Sequence, residues 1–100
     1  MTLRHVVMWR MASEDPSERE AHAAEAAARL LALEGVVPEI RSISAGPNVA
    51  YLDANWDLVL VADFEDVAAL DAYQVHPAHQ EVVAYVRSVV ASRAAVDIEV

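Results

Sequence analysis

Within the seven residues Tyr73-Gln74-Val75-His76-Pro77-Ala78-His79 the chain places a phenol and two of its four imidazoles. An imidazole titrates near neutral pH and a phenol can donate or accept a hydrogen bond, so this group has the chemistry of a proton shuttle. Pro77 orders it. Proline is pre-organised for the first position of a helix, which makes His76 the cap and puts His79 in the first turn. There the helix dipole disfavours the charged imidazolium, and a neutral imidazole is what a general base requires. A short helix ending near Tyr73 would aim the phenol at both rings. His5, far away in sequence, is a third candidate if its strand lies beneath them.

Other chemistries are poorly served. The chain has no cysteine, so it has no thiolate nucleophile, zinc-thiolate site or disulfide. Its seven basic residues are all arginine, which removes lysine Schiff-base chemistry. A metal site built from His76, His79 and His5 would need the first two on one helical face, and Pro77 spoils that geometry; no metal and no cofactor is expected. With only two glycines there is neither a phosphate-cradling loop nor a nucleophile elbow.

The elements that must hold these residues can be read along the chain. Residues 3–11 form a strand. Asp15-Pro16-Ser17-Glu18 is a helix start with the makings of a capping box. The alanine-rich helix that follows runs to about Glu34, with Gly35 as its left-handed stop. Its inner positions are read as Ala24, Ala27, Ala28 and Leu31, with Arg19, Glu20 and Glu25 in water, and His22 as solvated. Residues 39–46 make a weaker strand, 47–55 a loop and 57–65 a strong buried strand. Asp66 caps a short helix containing Val67, Leu70 and Tyr73. The helix begun at Pro77 continues to about Ala91, and residues 96–100 close the chain as a strand. This order, β-α-β-β-α-α-β in a single domain over residues 1–100, predicts an α+β, ferredoxin-like fold: a four-stranded antiparallel sheet with helices on one face.

Side chains alternate faces along a strand. Leu3, His5, Val7 and Trp9 share one face of the first strand, and Trp56, Leu58, Leu60, Ala62 and Phe64 share one face of the third. The opposite faces carry Val6 and Met8, and Val59 and Val61. Both faces are therefore apolar, yet helices can cover only one, and a free antiparallel sheet shows polar residues to water. The second face implies a homodimer whose sheets pack together. A net charge of −9 with scattered arginines excludes a nucleic-acid or anionic-membrane footprint. No apolar run is long enough to span a bilayer and there is no signal-peptide pattern, so the expectation is a cytoplasmic protein.

These blocks resemble the stress-responsive A/B barrel family of dimeric α+β barrel proteins. The resemblance is carried by His5-Val6-Val7, by Asp57-Leu58-Val59-Leu60-Val61-Ala62-Asp63-Phe64-Glu65 and by Leu70 to His79, and it spans essentially the whole chain. It implies a ferredoxin-like monomer that dimerises through its sheet. The family also includes polyketide cyclases of the olivetolic acid cyclase type, in which a pocket between sheet and helices promotes an aldol condensation without metal or cofactor. On that pattern His79 matches the general base, Tyr73 the residue assisting at the carbonyl and His5 a pocket histidine. A further histidine of the cyclases falls where this chain has Leu58, which removes a polar group from the expected pocket wall of Leu58, Val7, Trp9, Leu60 and His76.

Three functions follow as expectations. The first is binding of a small hydrophobic, carbonyl-bearing ligand between sheet and helices. The second is a cofactor-free cyclase- or isomerase-like enzyme with His79 as base and Tyr73 as carbonyl activator. The third is a structural stress-related dimer without site chemistry, which requires a solid interior beside His79; a cavity of roughly 300 Å³ or more favours the other two.

Overall fold

The computed structural model describes all 100 residues. The elements are β1 (Leu3–Met11), α1 (Pro16–Leu31), β2 (Ser42–Pro47), β3 (Leu58–Phe64), α2 (Val67–Val75), α3 (Pro77–Val89) and β4 (Val90–Glu99). The strands form one antiparallel sheet in the order β2-β3-β1-β4. The expected ferredoxin-like α+β architecture is the one observed. No helix is long and apolar enough to cross a membrane.

Alternation decides which face the helices cover. Leu3, His5, Val7, Trp9 and Met11 of β1 are buried, as are Leu58, Leu60, Ala62 and Phe64 of β3. The central antiparallel register places His5 opposite Ala62 and Val7 opposite Leu60, so both sets lie on one face. Phe64 and Tyr73 are wholly buried, each gaining about 2–3 kcal/mol from apolar burial. On the other face Met8, Val59, Val96 and Ile98 remain exposed, and Val6 and Val61 are only half-buried.

Four local expectations need correction. First, α1 buries Ala23, Ala26, Ala27 and Leu30, while Leu31 is exposed. In an alanine-rich helix the apolar stripe can be drawn in two registers one residue apart. The one that continues into buried Leu33 and Val37 wins. Second, α1 ends at Leu31, three residues before the expected stop, because tighter turns follow: the Leu33 amide bonds the Leu30 carbonyl and the Glu34 amide that of Leu31. Gly35 then takes φ +80° within these turns. Third, Asp15 caps by accepting from the Ser17 amide and hydroxyl, and Glu18 closes no box. Fourth, β4 starts at Val90, directly from α3, six residues before the strand expected at 96–100. Its first half, Ala91-Ser92-Arg93-Ala94-Ala95, has little intrinsic strand preference; pairing with β1 from Met11 back to Leu3 holds it extended.

Smaller differences concern polar groups. Arg19 leaves the solvent to grip both carboxylate oxygens of Asp57, at 2.8 and 3.0 Å, and Asp57 also accepts from the Met11 amide. Trp56 lies before β3 and stacks beneath the Arg10 guanidinium rather than joining the inner face. His22 is half-buried, with Nδ1 sheltered and unpartnered.

Candidate functional site

Two helix junctions and two strands bring the chemically active side chains together. Asp66 accepts from the Ala69 amide to start α2, which ends at Tyr73-Gln74-Val75. His76 takes an extended conformation and its Nδ1 accepts from the Ala78 amide, capping α3 behind Pro77. The break between the helices turns Tyr73 and His79 into each other, ring centroids 4.0 Å apart. From below, His5 of β1 approaches the same phenol ring edge-on at 6.4 Å, and Phe64 of β3 supports it at 5.0 Å.

Each ring is fixed by its partners. His79 is 7% exposed, and its Nδ1 donates to the Gln74 carbonyl at 3.2 Å, which leaves Nε2 as the proton acceptor of the neutral ring. Burial pushes its pKa below the usual 6.5, aided by the positive fields of His5, His76 and Arg93 and opposed by the Gln74 hydrogen bond. Burial is the leading cause, where the sequence suggested the helix dipole. His5 is 3% exposed and its Nδ1 donates to the Asp97 carboxylate at 2.5 Å, so its Nε2 is likewise free. Tyr73 is wholly buried, and its hydroxyl has no hydrogen-bond partner at all. Desolvation pushes the phenol up to about 12, against the pull of Arg93, so it keeps its proton and stays a donor. An unsatisfied buried hydroxyl costs about 1–3 kcal/mol and is rare in folded proteins.

These groups line a cavity of about 410 Å³ between α3 and the β1–β4 half of the sheet. Of the residues expected at the site, His5, Tyr73, His79, Val7, Trp9 and Leu60 line it. Leu58 and His76 do not. Leu58 shares the inner face with Leu60 but lies two residues away, about 7 Å along the strand, packed in the core opposite Trp9. Its apolar character therefore leaves the cavity wall untouched. His76 is occupied as a helix cap. The interior beside His79 is not solid, which favours the two ligand readings over a purely structural dimer.

Sequence reasoning missed Gln74, Arg87, Ser92 and Arg93 in the lining, and Asp97 behind His5. All but Gln74 and Arg87 belong to β4. Its helix side is the open side of the cavity, since Arg93, Ala95 and Asp97 are all exposed there. Writing the last ten residues antiparallel to β1 would have placed Asp97 opposite His5.

Comparison with known proteins follows the same outline. The model of the stress responsive A/B barrel domain family matches residues 3–100. A dimeric ferredoxin-like protein of unknown function from Jannaschia sp. CCS1 is 30% identical, with a TM-score of 0.77 and 100% of both chains covered. One from Thermobifida fusca, also dimeric, is 25% identical with a TM-score of 0.83, covering 100% of this chain and 92% of that one. A third, from Bacteroides fragilis, is 24% identical with a TM-score of 0.88, covering 99% and 96%. The fold also carries enzymes: a hydroxynitrile lyase from Passiflora edulis and an antibiotic biosynthesis monooxygenase share it at 15% identity. No functionally curated protein matches the chain.

Proposed function

The chain belongs to the stress-responsive A/B barrel family, and from that premise we propose that it is a homodimer, paired through the open sheet face, whose cavity binds a small hydrophobic molecule bearing a carbonyl group. The observation that carries the ligand is the Tyr73 hydroxyl, buried and unpartnered, on a residue that lines a cavity of about 410 Å³. A carbonyl oxygen accepting from that hydroxyl removes the cost of the unmade bond, while Val7, Trp9 and Leu60 bury the apolar remainder. Support for the dimer comes from the exposed Met8, Val59, Val96 and Ile98 and from the dimeric relatives.

A neutral aryl alkyl ketone such as hexanophenone tests this reading. At about 100 times Kd it stabilises the protein by about 2.7 kcal/mol, a Tm rise of roughly ten degrees. Tyr73→Phe should weaken binding about fivefold, as befits one hydrogen bond, without lowering the stability of the free protein. A flat Tm with such ketones, or an equal rise in Tyr73→Phe, would sink the assignment.

One observation favours a second reading, a cofactor-free cyclase- or isomerase-like activity. Burial disfavours the charged form of His79, its Nδ1 proton is tied to Gln74, and its ring lines the same cavity as Tyr73 with Nε2 left as the proton acceptor. Nε2 would take an α-hydrogen as a proton from a ketone held by Tyr73, and the Tyr73 hydroxyl would stabilise the enolate oxygen.

A further inference from the structure

Charge is distributed unevenly around the cavity. The chain has 16 acidic residues, yet no aspartate or glutamate lines the cavity, while two of the seven arginines, Arg87 and Arg93, do. The other five arginines are all engaged. Arg4 binds Asp63, Arg19 binds Asp57 and Arg29 binds Glu25. Arg41 donates to the Thr2 hydroxyl, and Arg10 lies over Trp56 at 4.8 Å. Arg87 and Arg93 form neither an ion pair nor a hydrogen bond. The two guanidinium groups left free in a strongly acidic protein thus come from different elements, α3 and β4, and both residues line one cavity while remaining exposed. Asp97, four positions from Arg93 on the same strand face, has its carboxylate held by His5.

We infer that the ligand is an amphipathic carboxylic acid, its carboxylate held by Arg87 and Arg93 at the mouth and its apolar, carbonyl-bearing part inserted towards Tyr73. This rests on the ligand-binding reading above and adds the acidic head group to it. Guanidinium suits the role because its planar fork matches a carboxylate and it is always charged. Polarity along the cavity then sets the orientation: charge outside, phenol inside, and valine walls from α3 between them. Arg93's field also reaches inward, favouring ionisation of the phenol and disfavouring the charged form of His79. A bound carboxylate would cancel that field, so head-group recognition and the proton affinity of the inner pair are linked.

The test is calorimetric titration of the 100-residue protein with β-benzoylpropionic acid and its methyl ester, which share the aryl ketone and differ in the charge. The acid should bind at least about tenfold more tightly, the worth of one charge-assisted contact, and added salt should weaken the acid alone. In the Arg87→Gln/Arg93→Gln double variant the two affinities should converge, that of the acid falling towards that of the ester. Both arginines are exposed, so the variant should fold as the parent does. An ester that binds as tightly as the acid, or an acid preference that survives in the double variant, would overturn the inference and leave the ketone pocket standing. If neither compound binds, the pocket reading fails and takes this one with it.

Discussion

The two faces of the sheet are incomplete in opposite ways. The helix-covered face should be a plain hydrophobic core, yet it buries His5 and His79 and leaves a tyrosine hydroxyl with nothing to bond. The open face should be polar, yet it presents Val6, Met8, Val59, Val61, Val96 and Ile98, and its ion pair, Arg4 with Asp63 at 2.9 Å, is already closed within the chain. Polar groups without partners call for a ligand, whereas apolar groups in water call for another apolar surface. On the proposed reading, one sheet separates recognition of a small molecule from recognition of a second copy.

The sharpest way to break this contrast is to put a charge on the open face. Val61 is central there, opposite Val6 and half-buried in the monomer, so Val61→Arg should fold. At a sheet-to-sheet interface each arginine would be an unpaired buried charge, costing about 3–5 kcal/mol. Sedimentation should find the wild type dimeric at micromolar concentration and the variant monomeric, with affinity lowered by more than about 100-fold. A monomeric wild type would count against pairing through this face.

The covered face is tested by asking whether it holds a ketone or also reacts with it. If Nε2 of His79 is a base, the protein should accelerate exchange of the α-hydrogens of hexanophenone with solvent deuterium. His79→Ala should then reduce that rate at least about 100-fold. Equal exchange by wild type and variant, read by proton NMR, removes His79 from any mechanism and leaves the binding role alone.

How much of the contrast was legible in the sequence differs between the faces. The alternation in β1 and β3 is strong enough to assign both faces, and the Asp66 and Pro77 punctuation located the helix junction that presents Tyr73 and His79. What could not be read depends on tertiary pairing. Ala91 to Ala95 carry no strand signature, so β4 was drawn too short and Arg93 stayed invisible as a cavity residue. Leu58 and Leu60 obey the same alternation, and only the position of the cavity along the strand separates wall from core. The burial face of α1 was ambiguous because alanine fits either register.

The smallest effect concerns the covered face alone and shows in stability against pH. His79 has its pKa lowered in the folded protein, so below 6.5 the unfolded chain binds a proton that the folded one takes up less readily. Stability present above that pH should therefore decline as pH falls through the window just below it. Tyr73 behaves in the opposite direction. Its folded pKa of about 12 lies above the ordinary 10, so between those values the unfolded phenol ionises while the buried one does not, and stability should fall as pH rises. Denaturant titrations across pH should give a plateau with two shoulders, the acid one diminished in His79→Gln and the alkaline one in Tyr73→Phe. The open face has no comparable titrating pair buried in it, so Val61→Arg should shift the whole profile without removing either shoulder. Were both shoulders to persist in the two cavity variants, the titrating groups would lie elsewhere, and the polar character of the covered face would have no energetic expression.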